Sequence, residues 1–349
     1  MTRTGARAAP AVTAMVVDFH AYFQPRSFLE RLRQRRHYPY VEKTTDGERI
    51  WSGPGAARPL RPEQTDIGLR VRQLAAAGID TQILRLQNVS GIDAFDPQEG
   101  ADIARAANEE IAELARRYPG RFIPYAAVPL RDVPSAVTEL ERAVTRLGHQ
   151  GVGISTGVDG KTLDHPEFEP LFECAARLRV PILILPNHPS SIDGAIGEQG
   201  WLTGAFGFQV DLSLVALKLL ASGRLERYPA LAIILANLGG VFPFVIERLD
   251  GYWERVHAGA RPLPVRPLQA LRRYYLETAS GHPAAIRMTA EVMGIEKLLF
   301  GSDYPSFDFV RALASVRESG LPPQDIERIL GGNARALLHA RAARGVSGG

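Results

Sequence analysis

Short apolar runs alternate with amphipathic stretches along nearly the whole chain. Eight of these runs are rich in valine, isoleucine and leucine and end in polar residues, a pattern typical of strands buried on both faces. The eight predicted strands lie at 16–22, 80–86, 122–128, 151–156, 181–185, 231–237, 274–280 and 297–303. Helical spacing of apolar positions separates them, as at 101–117 and 133–147. Repeated strand–helix units predict parallel strands with right-handed crossovers, and eight of them predict a (β/α)₈ TIM-type barrel.

The pattern favours one domain, at 15–340, with a disordered leader at 1–14 and a flexible tail at 341–349. Two stretches, 37–65 and 186–209, show no sustained period, and we predict that both are loops covering the barrel. An open doubly wound sheet is the alternative architecture. Because no Gly-x-Gly-x-x-Gly turn follows any predicted strand, the nucleotide-binding version of that fold has no support.

Composition narrows the class of protein. The 349 residues are 45% hydrophobic and 23% charged, which is ordinary for a soluble globular enzyme. The net charge of +3 is small and the arginines are scattered apart from 31–36, so a nucleic-acid partner is not expected. Cys174 is the single cysteine, which excludes an intrachain disulfide and suggests a buried, inert thiol. With no membrane-length apolar run and no apolar core in 1–14, we predict a cytoplasmic protein without membrane contact.

Polar side chains follow most of the predicted strands. In a parallel barrel the carboxyl ends of the strands meet at one mouth, where active sites are built. The candidates at these ends are His20, Tyr22, Arg85, His188, Asn237, Glu277, Ser280 and Asp303. A His-x-His pair after strand 1 would hold a divalent metal, because alternate residues point the same way, but the second position here is Tyr22.

Several short segments occur together in order along the chain. They are Asp18-Phe19-His20, Arg121-Phe122-Ile123-Pro124, Ala127-Val128-Pro129-Leu130, Glu139-Leu140-Glu141-Arg142, Leu147-Gly148, Gly239-Gly240-Val241-Phe242-Pro243, Glu247-Arg248-Leu249-Asp250, Phe300-Gly301-Ser302-Asp303-Tyr304-Pro305 and Asn333-Ala334. On these segments the sequence resembles the amidohydrolase superfamily, within it the branch typified by aminocarboxymuconate-semialdehyde decarboxylase (amidohydrolase family 2). The resemblance covers roughly 15–340 and implies the barrel fold and a homodimer.

The resemblance also implies a metal site at the mouth. The family places His-x-His on strand 1, His-Pro after strand 5, a histidine before Gly-Gly on strand 6 and the aspartate of Gly-Ser-Asp on strand 8. This chain keeps His20 and Asp303, but Tyr22, Leu185 and Asn237 occupy the other positions. If a metal is bound, the expected ligands are His20, Asp303 and His188, which lies three residues beyond Leu185. A zinc site needs three protein ligands, and only His20 and Asp303 occupy the ligand positions of the family. We therefore predict that this site has no metal cofactor, with zinc as the alternative.

These observations lead to a functional hypothesis. We predict a metal-independent lyase or cyclase acting on a small conjugated or aromatic carboxylate, in a setting such as secondary metabolism. His20 and Asp303 would move the proton, Tyr22 and Asn237 would hydrogen-bond the developing enolate or phenolate, and Arg85 would anchor a carboxylate. The other residues predicted to contact substrate are His188, Trp201, Glu277 and Ser280. One alternative is a conventional metal-dependent non-oxidative decarboxylase or hydrolase, and another is a catalytically inactive binding subunit.

Overall fold

The computed structural model describes residues 15–53, 57–87, 91–186, 190–197, 200–256, 263 and 265–345. Eight parallel strands, numbered β1 to β8 in chain order, form one sheet in which each strand pairs with its neighbours along the chain. Their bounds are Val17–Asp18, Thr81–Leu84, Phe122–Ala127, Gly151–Ser155, Ile182–Leu185, Ile233–Leu235, Tyr275–Glu277 and Leu298–Leu299. The strands are shorter than predicted, but all eight predicted strands are confirmed.

Backbone hydrogen bonds join β8 to β1 and close the sheet into a barrel. The Phe19 N–H donates to the Phe300 carbonyl at 2.7 Å, and the Asp303 N–H donates to the His20 carbonyl at 2.7 Å. Ala21 and Tyr304 form a parallel bridge further along the same seam. The predicted TIM-type architecture is therefore confirmed, and the seam between β1 and β8 carries both His20 and Asp303.

Helices surround the barrel. Their bounds are Arg26–Gln34, Pro62–Thr65, Ile67–Ala77, Pro97–Arg117, Val133–Leu147, Glu169–Leu178, Asp193–Ile196, Gly200–Leu202, Phe208–Ala221, Arg224–Arg227, Phe242–Arg255, Pro267–Leu271, Pro283–Met293, Phe309–Arg317, Pro323–Glu327 and Asn333–Gly345, with π-helical turns at Thr203–Gly207 and Arg328–Gly332. Asp66, Asp96 and Asp132 cap three of them by accepting backbone N–H groups of the first turn. The last helix runs to Gly345, so the predicted flexible tail 341–349 begins as helix.

Two clusters of buried apolar side chains hold the helices on the strands. One lies around β3 to β7 and includes Val152, Ile182 and Ile234. The other lies around β1, β2 and β8 and includes Leu32 and Phe300. All four residues of β5 are buried, as expected for a parallel strand covered on both faces.

The stretch 37–65, predicted as a loop, contains a three-stranded antiparallel sheet and a short helix. The strands are Tyr40–Thr44, Gly47–Trp51 and Ala57–Pro59. Val41 and Ile50 are partners in the register and are buried, so one face of this inserted sheet packs on the protein. Regular strands thus occupy part of a stretch whose sequence predicted a loop, and its role as a cover of the barrel stays a prediction. In the second predicted loop, 186–209, residues 187–189 and 198–199 lie outside the described residues, and the rest is largely helical.

Two expectations drawn from composition concern burial. The helical stretch Thr203–Ala221 is long and apolar enough to cross a membrane, but 50% of that stretch is buried inside the protein, as in a core helix. Cys174 is 2% exposed. Burial raises the pKa of its thiol, in agreement with an inert side chain.

Three loops that follow β2, β3 and β4 are tied together beside the barrel mouth. The Leu130 N–H donates to the carboxylate of Asp93 at 2.7 Å. Arg131 donates to the Phe95 carbonyl at 3.0 Å and to the Asp159 carboxylate at 2.5–3.1 Å. Burial raises the pKa of Asp93 to about 6, so this contact contains a carboxyl group that is costly to ionise.

We expect Asp93→Asn to stabilise the protein at neutral pH. Because the pKa of Asp93 is raised in the folded state, its contribution to stability is full below pH about 4 and is lost as the pH rises through about 6. The amide carries no charge, so it avoids this loss. The free energy of unfolding in urea should rise by about 2 kcal/mol at pH 7 and by less than half of that at pH 4.5. The exposed Asp102→Asn serves as control; an equal gain at both pH values would contradict the prediction.

Candidate active site

His20 follows β1 and lies between two carboxylates at the barrel mouth. Its side chain is 4% exposed. The Nδ1–H donates to Oε1 of Glu277 at 2.7 Å, and Nε2 faces Oδ1 of Asp303 at 3.4 Å. The structure therefore brings together the two predicted catalytic residues His20 and Asp303. The hydrogen bond to Glu277 leaves Nε2 as the nitrogen that faces the open side of the site.

Glu277 lies behind His20 and is fully buried. Besides His20, its carboxylate accepts the Asn237 N–H at 2.6 Å and the Ala279 N–H at 2.7 Å. A Cβ at position 301 would overlap this carboxylate, which explains the glycine in Gly-Ser-Asp. Glu277 was predicted to contact substrate, which stays a prediction, and in the structure its carboxylate accepts three donors of the protein. It thereby orients the His20 imidazole.

Left-handed backbone is concentrated where β6, β7 and β8 end. Asn237, Ser280 and Asp303 have φ angles of 52°, 59° and 56°, although none of them is glycine. Residues in this region of φ/ψ space cost free energy, and such strain clusters at functional sites. The three strand ends therefore have the backbone conformations expected of a site that must aim specific groups at one place.

The charges at the mouth are strongly coupled. Burial opposes the charged imidazole, but Glu277 and Asp303 outweigh it and raise the pKa of His20 above its usual value. Burial also raises the pKa of Asp303, while His20 and Arg85 oppose that rise. Both groups therefore favour binding a proton near neutral pH more than they would in water.

Arg85 follows β2 and supplies a buried positive charge. It is 3% exposed, and its Nη1–H donates to the Leu86 carbonyl at 3.1 Å. Burial lowers its pKa to about 10, and its charge interacts with Asp303, so it stays protonated at neutral pH. Gly153 on β4 leaves room for it, since a Cβ there would lie 3.3 Å from the Arg85 Cδ. A buried cation at this place is suited to hold the carboxylate of a substrate.

Tyr22 has a partner that the sequence did not indicate. Its hydroxyl lies 3.0 Å from Oγ of Ser306, which follows the Asp303 turn. Burial raises the pKa of Tyr22, so it is a neutral phenol at physiological pH. Tyr22 therefore meets the chemical requirement for the predicted role of a hydrogen-bond donor to substrate oxygen, which stays a prediction.

Arg58, on the inserted sheet, is a second site residue that the sequence did not indicate. The register pairs Arg58 with Ile50, which is 8% exposed, and cross-strand partners project from the same face. Arg58 therefore leaves the sheet on the same face as Ile50, and its side chain is exposed. Burial raises the pKa of Tyr22 and of Asp303, and the charge of Arg58 partly opposes both shifts. The buried Arg85 and the exposed Arg58 thus both place positive charge near Asp303.

The positions of the remaining predicted site residues do not test their predicted roles. His188 lies outside the described residues. Trp201 is 70% exposed and Ser280 is also exposed, so their predicted contacts with substrate stay predictions. Asn237 joins the site through its backbone N–H to Glu277, rather than through a described contact of its side chain.

Comparisons with known proteins identify the family. The Amidohydrolase family profile matches residues 17–340. The chain belongs to this family. Gamma-resorcylate decarboxylase of Rhizobium sp. (strain MTP-10005) is 31% identical over 281 residues, which are 77% of this chain and 86% of that one. The 2-amino-3-carboxymuconate-6-semialdehyde decarboxylase of Dictyostelium discoideum is 29% identical over 278 residues, 78% of this chain and 76% of that one. The family resemblance drawn from the motifs is confirmed.

A solved structure of a relative bears on the cofactor. The dihydroxybenzoic acid decarboxylase of Polaromonas sp. JS666, with bound manganese and the inhibitor 2-nitroresorcinol, has a TM-score of 0.80 and 25% identity, and covers 93% of this chain and 97% of that one. This protein is thus an enzyme of the decarboxylase type, a lyase. The prediction of a site without a metal cofactor is wrong for this family, and the metal-dependent alternative is the better supported one.

The donor groups of the described residues fit part of a metal site. Two ligands of one ion, each about 2.1 Å from it, lie about 3.0–3.4 Å apart when they subtend about 90–110°. His20 Nε2 and Asp303 Oδ1, 3.4 Å apart, meet that condition, and Glu277 supplies the usual carboxylate behind a metal-binding histidine. Within the part of the chain that the structure describes, no third His, Cys, Asp or Glu joins them to hold an ion. One imidazole and one carboxylate suit manganese, which accepts water and substrate oxygens as further ligands.

Proposed function

We propose that the protein is a metal-dependent non-oxidative decarboxylase of a hydroxylated aromatic carboxylate. The observation that carries this proposal is the His20–Asp303 pair, oriented from behind by Glu277 and placed beside the buried cation Arg85. The pair offers two ligand atoms for a divalent ion, and the arginine offers a fork for a carboxylate. Relatives named for resorcylate and dihydroxybenzoate support the substrate class.

In the proposed reaction the protein has to place the substrate and stabilise the charge that develops on it. One proton joins the ring carbon, the bond from that carbon to the carboxylate breaks, and its electron pair returns to the ring as carbon dioxide leaves. A bound divalent ion supplies Lewis-acid stabilisation of substrate oxygens. In this proposal His20 would bind the ion through Nε2 as a neutral imidazole, and the second oxygen of the Asp303 carboxyl group would carry the proton that joins the ring carbon.

The other residues at the mouth have binding roles in this proposal. Arg85 binds the carboxylate of the substrate, and the exposed Arg58 adds positive charge beside it. The neutral hydroxyl of Tyr22 donates to the oxygen that gains charge, with Ser306 fixing its direction. The charges of the two arginines also attract an anionic substrate into the mouth.

The test is a product assay on a panel of hydroxybenzoates that includes 2,6-dihydroxybenzoate. Purified enzyme with added Mn²⁺ should release carbon dioxide and the matching phenol from at least one of them. Dialysis against a chelator should lower the rate at least about tenfold, and Mn²⁺ should restore it. An unchanged rate after complete removal of metal would contradict the metal requirement. Absence of turnover across the panel would contradict the substrate class.

The substrate-anchoring role of Arg85 gives a separate prediction. We expect Arg85→Met to raise KM for the aromatic carboxylate about 30-fold or more while kcat falls less, because the lost contact binds ground state and transition state alike. Steady-state kinetics on the best substrate of the panel measures this. Arg121→Met, at an arginine that lies before β3, is the matched control. A fall in kcat with an unchanged KM would place Arg85 in the chemical step instead.

Three further predictions about the protein as a whole remain proposals. A homodimer is supported by large apolar side chains on the surface, such as Trp201 and Phe244, which are 70% and 78% exposed. A light-scattering mass of one chain in solution would contradict it. The cytoplasmic location and a role in secondary metabolism stay predictions.

A further inference from the structure

Four hydrogen-bond donors converge on the buried carboxylate of Asp18, the last residue of β1. Oδ1 accepts the N–H of His20 at 3.1 Å and the N–H of Ser302 at 3.0 Å. Oδ2 accepts the hydroxyl of Ser302 at 2.6 Å and the Nε2–H of Gln82 at 2.7 Å. Asp18 is fully buried and cannot reach substrate. Its contacts are nevertheless with His20 itself and with the residue that precedes Asp303.

Asp18 therefore spans the seam at the point where the two reacting residues leave it. On one side it holds the backbone of His20, and on the other side it holds both the backbone and the side chain of Ser302. The Ser302 oxygen also accepts the Tyr304 N–H at 3.1 Å, so residues 302–304 are fixed around the left-handed Asp303. These contacts therefore connect the backbone of His20 with that of residues 302–304.

Arg70 fixes the orientation of the Gln82 amide behind Asp18. Its Nη1–H donates to Oε1 of Gln82 at 3.2 Å, and its other terminal nitrogen donates to the Glu63 carbonyl at 2.6 Å. Arg70 is fully buried, and its guanidinium lies 4.7 Å from the centre of the Tyr304 ring. Because arginine can only donate, Gln82 must turn its oxygen to Arg70 and its NH₂ to Asp18.

We propose that Asp18 is a positioning residue that sets the His20–Asp303 separation, and that Arg70, acting through Gln82, supplies the donor that completes its set of contacts. Every group around Asp18 is a donor or has its oxygen engaged elsewhere, so the site demands an acceptor with four free lone-pair directions. With Gln82 in its native orientation, only a carboxylate at position 18 meets that demand. The inference rests on the proposed decarboxylase function for its kinetic consequences.

The arrangement of donors around Asp18 suggests an experiment in which the carboxylate and the amide are exchanged between positions 18 and 82. Asp18→Asn places an NH₂ group against the NH₂ of Gln82, and a rotated Gln82 amide would instead oppose Arg70. Adding Gln82→Glu supplies an acceptor to the new amide, pairs with Arg70 and keeps the total charge. The double variant therefore restores the contacts of Gln82 with position 18 and with Arg70, with the carboxylate moved by one side chain. The Ser302 hydroxyl, which would face the new NH₂ group, can turn to the His20 carbonyl at 3.3 Å. Gln82→Glu alone puts two carboxylates in contact and is the matched negative control.

We expect Asp18→Asn to lower kcat about 30-fold with KM within about threefold, because a displaced reacting pair costs rate rather than substrate binding. The double variant should regain kcat to within about fivefold of the native enzyme, and Gln82→Glu alone should be no better than Asp18→Asn. The thermal midpoint of each variant is measured beside the kinetics. Native kcat in Asp18→Asn would overturn the proposal. A double variant with a native midpoint that stays as slow as Asp18→Asn would overturn it as well.

A second readout does not depend on activity. In protein labelled with ¹⁵N-histidine, the Nδ1–H resonance of His20 is assigned by its loss in His20→Gln. We expect that resonance to shift in Asp18→Asn and to return in the double variant. An unshifted resonance in Asp18→Asn would overturn the proposal. If the native enzyme decarboxylates nothing, the proposed function fails, but this resonance still tests the positioning role of Asp18.

Discussion

Replacing His20 by glutamine should lower kcat for decarboxylation by at least about 1000-fold, and Asp303→Asn should do the same. His20 and Asp303 face each other at 3.4 Å and would provide the metal-binding atoms, and the Asp303 carboxyl group would also carry the proton. Because they act as a unit, the double variant should be little slower than either single one. Rates of product formation in the presence of saturating Mn²⁺ measure all three variants.

The control for this experiment is His339→Gln, at an exposed position of the C-terminal helix. It should leave kcat unchanged. A His20→Gln enzyme that keeps more than a tenth of the native rate would exclude a catalytic role of His20. Multiplicative losses in the double variant would show that the two residues serve separate steps.

Glu277→Gln should cost both activity and stability. The carboxylate of Glu277 accepts three hydrogen bonds at 2.6–2.7 Å and is fully buried. The amide of glutamine turns an NH₂ group toward one of these donors, and an unsatisfied buried group costs about 2 kcal/mol. Loss of the group behind a metal-binding histidine lowers activity about 10- to 100-fold. Urea unfolding and steady-state kinetics measure the two effects.

Glu291→Gln, at an exposed glutamate on the helix Pro283–Met293, is the matched control and should change neither quantity. If Glu277→Gln lowered the free energy of unfolding but left kcat untouched, Glu277 would be a structural residue only. The orientation of His20 would then have to come from other contacts.

The barrel was predictable because its strands have an unambiguous pattern. The run Ile182–Leu185 is apolar at every position, as expected of a parallel strand that is covered on both faces. The inserted sheet was missed although Val41 alternates with polar neighbours and Asp46-Gly47 is a turn signal. Aromatic residues and prolines interrupt that alternation. A small sheet that packs on the barrel also buries few apolar side chains, so its apolar pattern is weak.

The site was predictable only as far as position along a strand determines it. His20 and Asp303 were predicted because they closely follow β1 and β8. Glu277 was placed at the correct strand end, but its hydrogen bond to His20 was not predicted, because sequence does not show which way a side chain turns. The proximity of Arg58 to Asp303 arises from the tertiary fold, and its local sequence does not indicate it. The metal was excluded by counting protein ligands alone, although water and substrate also bind manganese.

The inserted sheet and the residues proposed to carry the reaction lie in different parts of the chain, so substrate selectivity and chemistry can change separately. Arg33 joins the strand Gly47–Trp51 through a two-bond contact to Glu48 at 2.7–2.8 Å, and the same sheet brings Arg58 to the mouth. His20, Asp303 and Glu277 lie elsewhere, on β7 or just after β1 and β8. Evolution can therefore exchange this hairpin to admit a differently substituted acid while the reaction stays the same. Laboratory redesign of selectivity has the same natural starting point, some twenty residues that can be varied as a cassette.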